Sequence, residues 1–359
     1  MEAASTQAYS TKSVPAAESF NMRICYVNYL LFGTCLGGFF VISGLMGNIV
    51  TIIILGRERK KSSTINCLFM LAIADAFVLL NYGVILVPNG IYAVVLETFS
   101  VGRMNLYRFT WTYLTSAARI FNQVSIFITM LVTFQRYVSV CLPLRAKQLC
   151  SVKLVNILVF ISYLVSVVYF SPNFALYYLV KHSSGLFQPK VHHFVQNPLY
   201  QLLYSIIGFC LMTYVIPVTT LGFMSIQILR GLRRQANTLQ QSQGETSVRK
   251  DLTRSAIAIV GICVICQSFS TANRILMWVF GNGYGRAVTC GGHLYLFMLV
   301  PHVMMVFNSA FNFIIYITLA KGFKKKVQRL FSRSRVAPAC TSANVPSRPE
   351  TAVVPSEDS

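Results

Sequence analysis

The chain has 359 residues, of which 55% are hydrophobic and only 11% charged, so it is too apolar for an ordinary soluble domain. A net charge of +21 could suit nucleic-acid binding, but the basic residues fall in short segments between apolar stretches (57–61, 145–153, 230–254 and 321–335). By the positive-inside rule those segments face the cytoplasm, and the sparser gaps near Arg103, Lys181 and Arg286 face outward. An amino terminus outside and a carboxyl terminus inside need an odd number of spans, and seven are counted.

Residues 1–27 are polar and lack the apolar core of a cleavable signal, so they read as an extracellular amino terminus, with the first span as signal anchor. The predicted helices are 28–55, carrying Gly47 and Asn48; 63–92, with Asp75 in the hydrocarbon and Pro88 toward the outer end; and 106–144. The third exceeds the ~20 residues needed to cross a bilayer and ends in Gln135-Arg136-Tyr137 and Pro143-Leu144. A fourth helix covers 153–169 and is closed by Ser171-Pro172. Between 173 and 198, aromatic and β-branched residues flank Ser183-Ser184-Gly185, which predicts an outer β-hairpin. His182, His192 and His193 in that loop are read as exposed histidines rather than zinc ligands. The last three helices are 199–235 with Pro217, 248–281 and 293–319, so that 28–319 forms the membrane domain. Residues 320–331 read as a basic amphipathic helix lying in the interface. Residues 332–359, rich in Ser, Thr and Pro, read as a disordered cytoplasmic tail.

Asn48, Asp75, Ser125, Asn308, Ser309 and Asn312 are polar residues on four otherwise apolar segments. A carboxylate at that depth needs partners. Either the set binds an ion, or it supplies interhelical hydrogen bonds of ~1 kcal/mol each. Of the ten cysteines, none falls in a metal-binding pattern, and only Cys25 and Cys290 are placed on the oxidising side. No nucleophile and base share one face, so the chain is read as not being an enzyme.

The foot of the third segment (QRYVSVCLPL), LAIAD, NSAFNFIIY and GFKKKVQRLF together resemble class A, rhodopsin-like, G protein-coupled receptors. Within that family the resemblance is to invertebrate FMRFamide receptor-like neuropeptide receptors, and it covers about residues 47–331. It implies an all-α bundle of seven transmembrane helices with a short eighth helix, in the plasma membrane. The expected partners are an extracellular peptide and a heterotrimeric G protein, with arrestin and a receptor kinase at the tail.

In the family pattern the six polar residues correspond to an allosteric sodium pocket with Asp75 as the metal ligand, and no other cofactor is expected. Gln135, Arg136, Tyr137, Leu144, Arg249 and Tyr316 correspond to the coupling and activation positions. Leu144 would insert into the G protein, and Arg136 would support its docked helix. Tyr113, Ala118, Arg119, Gln267, Arg274 and His302, with Phe121, correspond to the ligand cavity. Ala118 stands where amine receptors carry an aspartate, and Val306 where opsins carry the retinal lysine, which argues against both ligand classes. Arg119 and Arg274 suggest a ligand bearing a carboxylate or several carbonyls; snorkelling to headgroups is the alternative.

The sequence also departs from the family pattern. Gln135 replaces an acid beside Arg136, and Arg249 replaces an acid on the sixth helix. Gln267 replaces a tryptophan, while Phe269 and Phe313 replace prolines. Trp111 stands at the cysteine that normally bridges to the second outer loop, and that loop has no cysteine. The first and seventh helices are neighbours in this fold, so Cys25 and Cys290 could be bridged, or could remain two thiols. The departures leave open a second reading, a non-coupling or constitutively active seven-helix scaffold.

Overall fold

In hydrocarbon every backbone N–H and C=O must be paired within its own segment, so long apolar stretches fold as helices. The computed structural model describes residues 24, 27–95, 101–238, 243–288, 292–319, 323, 324, 327 and 328. Among these, seven helices are long and apolar enough to cross a membrane.

Helix α1 is Tyr29–Gly56, its first part Tyr29–Leu36 wound as a π-helix. Helix α2 is Ser63–Val95 and accommodates Pro88. Helix α3 joins Val101–Phe109, a π-turn Thr110–Leu114 and Thr115–Cys141, so it starts earlier than the sequence pattern indicates. Helix α4, Val152–Phe170, is capped by Ser151, whose hydroxyl accepts the Leu154 N–H at 3.2 Å. Helix α5 runs through two π segments, Tyr200–Gly208 and Leu211–Val215, into Ile216–Thr238. Pro217 cannot donate to the carbonyl four residues back, and the rewinding falls directly before it. Helix α6 is Gln243–Phe280, an unbroken α-helix through Phe269. A single 3₁₀ turn, Tyr295–Met298, leads into α7, Val300–Leu319, which continues through Phe313.

The loop after α4 forms the expected hairpin: β1 (Tyr177–Lys181) pairs antiparallel with β2 (Phe187–Val191), Tyr177 opposite Val191. Gly185, with φ of +79°, makes the turn that a residue with a Cβ would adopt only with strain. The hairpin marks one end of the bundle, and the cationic segments mark the other, basic end.

Helix α3 packs against α2, α4, α5 and α6, and α7 closes the ring against α1, α2 and α6. The interior is layered. One apolar cluster, near the basic end, joins Ile54, Leu71, Val124, Ile128, Ile259 and Tyr316. A second, toward the hairpin, joins Val78, Tyr82, Ala118, Val303 and Val306. Helices α1 and α7 approach closely because α1 offers glycines: a Cβ on Gly44 would lie 2.7 Å from the Ala310 Cβ, and one on Gly47 would lie 2.6 Å from the Phe313 ring. Such small-residue contacts drive helix association where no hydrophobic effect operates.

Of the interfacial segment, Phe323 and Val327 are described and pack against the first cluster. Most of 320–331, together with Cys25 and Cys290, lies outside the described residues.

Candidate functional site

Between the two apolar clusters lies a polar belt. Asp75 is fully buried on α2. Ser125 of α3 donates its hydroxyl to Oδ1 at 2.7 Å, and the Asn312 amide of α7 donates to Oδ2 at 2.6 Å. The Ser309 hydroxyl faces the same carboxylate, close enough to act on it but outside good hydrogen-bond geometry. Asn48 of α1 donates to the Ser309 carbonyl at 3.1 Å, and Asn308 is buried beside them. The predicted polar residues therefore do meet, across four helices. The neighbours acting on the carboxylate are neutral hydroxyls and an amide, an arrangement that welcomes a small cation. The Ser309 oxygen, loosely held beside Asp75, has the chemistry of a further ligand for such a cation.

One turn closer to the hairpin, Gln267 of α6 and Asn122 of α3 face each other as a reciprocal amide pair. Asn122 Nδ2 donates to Gln267 Oε1 at 3.4 Å, and Gln267 Nε2 donates back to Asn122 Oδ1 at 3.2 Å. Both side chains are buried. Beside them, Gln123 donates to the Met212 carbonyl of α5 at 3.0 Å, inside the second π segment.

The remaining ligand-cavity candidates separate. His302 is buried and packs between Trp111 (ring centroids 5.1 Å apart) and Tyr82 (5.6 Å). Ala118 is fully buried in the apolar cluster of α2 and α7 and presents no open surface. Tyr113 lies against the exposed Phe109, and Phe121 stacks on the exposed Phe77. Arg274 sits over the Phe209 ring at 4.7 Å, and its Nη1 donates to Ser205 Oγ at 3.4 Å. Arg119 and Arg274 both lie within electrostatic reach of Tyr204.

Where Trp111 stands in place of a cysteine, α3 grips the hairpin without a covalent bond. Asn105 Oδ1 accepts the Phe187 N–H at 2.6 Å, Asn105 Nδ2 donates to the Gly185 carbonyl at 2.9 Å, and Arg108 donates to the Phe187 carbonyl.

At the basic end, Gln135 turns away along α2: its Nε2 donates to Cys67 Sγ at 3.3 Å, and its Oε1 is buried without a partner. Arg136 is buried in the electrostatic neighbourhood of Cys67, Cys150 and Tyr316. Burial pushes the Cys150 thiol up, with Arg136 opposing the shift. Tyr137 packs in a third cluster with Leu221, Met224 and Val260. Tyr316 is buried against Phe323, with ring centroids 5.7 Å apart. Leu144 is 97% exposed, an apolar side chain held out of the bundle. Arg249 and Asp251 are on α6, but their side chains lie outside the described set.

The family model for the seven-transmembrane receptors of the rhodopsin family matches residues 47–316. The chain belongs to that family. Curated relatives include an FMRFamide receptor of Drosophila melanogaster, 24% identical over 82% of this chain and 52% of the relative. An FMRFamide peptide receptor of Caenorhabditis elegans, frpr-18, is 21% identical over 79% of this chain and 66% of its own. Galanin receptor 2a of Danio rerio is 24% identical over 59% and 56%. The chain thus spans about half the length of the fly relative and 66% of the worm one.

Within this rhodopsin-family receptor, sequence reasoning passed over Asn105, Arg108 and Asn122. Gln267 carried the signal for Asn122, because an amide at that depth needs a partner on a facing helix. Asn105 and Arg108 stand in a polar stretch where nothing in the pattern distinguishes them.

Proposed function

We propose that the chain is a receptor for an extracellular peptide that transmits the signal to a heterotrimeric G protein from the plasma membrane. In this reading the hairpin end and amino terminus face outward, the basic end faces the cytoplasm, and the interfacial helix and tail dock arrestin and a receptor kinase. The observation that carries it is the polar belt around Asp75 within a rhodopsin-family bundle, set between the hairpin end and a basic end that buries Arg136 and exposes Leu144. Relatives named as FMRFamide receptors support a peptide ligand.

A sodium ion in the belt would be held by Asp75, Ser125 and Ser309, favouring the state in which the belt is tight. An agonist preferring the other state then competes with the ion through the conformational equilibrium. Screening the full chain in cells with a peptide library and a G protein dissociation readout tests the assignment. Peptide-dependent dissociation is expected. Surface expression with no dissociation for any peptide, and none without one, would favour the scaffold reading, to which the Gln135 contact with Cys67 lends support.

A further inference from the structure

Arg119 and Arg274 carry charge that no described acid at the hairpin end answers, although Arg274 also lies over the Phe209 ring at 4.7 Å. Arg119, on α3, is half-buried and makes no hydrogen bond or ion pair among the described residues. Arg274, on α6, is also half-buried, and its only hydrogen bond there is the 3.4 Å contact with Ser205. The two guanidiniums lie within electrostatic reach of each other, with Tyr204 of α5 in reach of both. Like charges gathered where the dielectric is low repel, and the arrangement is relieved when an anion joins them. The acids on described segments are Glu58, Glu245 and Asp251 toward the basic end and Asp75 in the belt, so none of these is placed to do so.

A second observation points the same way. Tyr200, stacked on Tyr204 at 5.0 Å, buries its hydroxyl with no hydrogen-bond partner. So do Thr271, three residues before Arg274, and Thr115, four before Arg119. Buried polar atoms without partners are few in folded proteins, and here two lie within a turn of the arginines on α3 and α6 and a third on α5, stacked on the tyrosine in reach of both.

We propose that Arg119 and Arg274 form a two-cation anchor for a carboxylate of the extracellular ligand. A carboxylate sets two charged oxygens against the planar fork of a guanidinium, whereas a carboxamide offers one neutral oxygen and turns an N–H donor to the other arm. The ligand is therefore a peptide with a free carboxyl terminus or an acidic side chain, and not a cationic amidated peptide of the kind named in the relatives. The inference rests on the proposed role of the hairpin end as ligand site, and not on G protein coupling.

The test is thermal unfolding of the purified full-chain receptor with a panel of short synthetic peptides. Each is made as the free acid, as the amide, and with its Asp and Glu replaced by Asn and Gln. Members retaining a carboxylate should raise the melting temperature, while their fully amidated counterparts should not. Comparing the three forms tells a terminal carboxylate from a side-chain one. Affinity for a stabilising acid should fall by at least about tenfold in Arg119→Gln and in Arg274→Gln.

Without ligand, Arg119→Gln should melt no lower than the parent, since repulsion is relieved and no described hydrogen bond is lost; a merely structural arginine would lower it. Arg119→Lys, which keeps the charge and loses the fork, should retain part of the affinity and serves if a glutamine variant fails to fold. Amides stabilising as well as acids, no difference among the three forms, or undiminished affinity in the arginine variants would overturn the anchor. Carboxylate-dependent stabilisation without G protein activation would sink the coupling reading and leave the anchor standing. Activation by amidated peptides that persists in both variants would do the reverse.

Discussion

The hairpin over the bundle mouth should depend on Asn105. A two-stranded hairpin is marginal by itself in water. This one is short, and Pro189, opposite Leu179, brings no N–H to its ladder. Asn105 supplies both halves of an amide clamp, accepting at 2.6 Å from Phe187 and donating at 2.9 Å to Gly185. Asn105→Ala removes both bonds. At about 0.5–1.5 kcal/mol net for each, the loss is about 1–3 kcal/mol, and part-exposure favours the lower half because water can replace the partner. A shift of about 1.4 kcal/mol raises the open fraction of the hairpin about tenfold.

Amide hydrogen exchange across 177–191, followed by mass spectrometry on the detergent-solubilised receptor, reads this opening directly. Exchange in Asn105→Ala should quicken about tenfold, with α3 below Thr115 unchanged. Treatment of the parent with a thiol reductant should leave it unaltered, because no cysteine lies between Cys67 and Cys141 or between Cys150 and Cys210. Unchanged exchange in the variant, or a reductant-sensitive hairpin, would refute the clamp.

Asp75→Asn should abolish the sodium dependence of agonist affinity; retention of that dependence in the variant would remove Asp75 from any ion site. Gln135→Asp should lower agonist-free G protein activation at matched surface expression, because a carboxylate beside Arg136 makes a charge-assisted bond about twice as strong as a neutral one; no decrease counts against this. Gly47→Ala forces a Cβ onto the Phe313 ring and should cost about 1–3 kcal/mol, seen as a lowered melting temperature that Phe313→Leu partly restores. Asn122→Leu leaves the buried Gln267 amide unpaired and should cost about 1–3 kcal/mol, whereas Asn122→Leu with Gln267→Leu should be more stable than the single variant. A double variant less stable than Asn122→Leu would show that the pair does not act as one unit.

The spans, their order and the hairpin were legible because hydropathy and turn residues are local signals, and the bilayer leaves helices little competition. The belt was legible for a related reason: polar residues at hydrocarbon depth stand out, and Asp75 demands neighbours such as Ser125 and Asn312. What could not be read was direction. Ala118 and Arg119 are adjacent in sequence, yet one is sealed against α2 and α7 and the other is half-buried, within electrostatic reach of both Tyr82 and Tyr204. Tyr113 shares their helix and points to Phe109 instead. A π-turn at 110–114 changes the facing of every residue above it, and no hydropathy pattern announces such a turn. The start of α3 at Val101 was missed likewise, because its first turns are polar and are held by the hairpin rather than by lipid.

Four of the departures from the family pattern do not read as decay, because each of these is met by a partner on another element. The absent disulfide is met by Asn105 and Arg108 on the hairpin backbone. Gln267, in place of tryptophan, is met by Asn122, and Phe313, in place of proline, by the space that Gly47 leaves. Gln135, in place of an acid, is met by Cys67. Random loss would leave orphans, and a buried amide without a partner costs about 1–3 kcal/mol, too much for a marginally stable fold to accumulate. Two of the matched replacements share a physical direction: the disulfide and the acid beside Arg136 give way to non-covalent contacts that break and reform more easily. Gln135 is the partial exception, since its Oε1 is buried without a partner. That orphan lies beside Arg136, at the point where the proposed G protein helix docks, so the one tie left unfinished is the one that docking would rearrange.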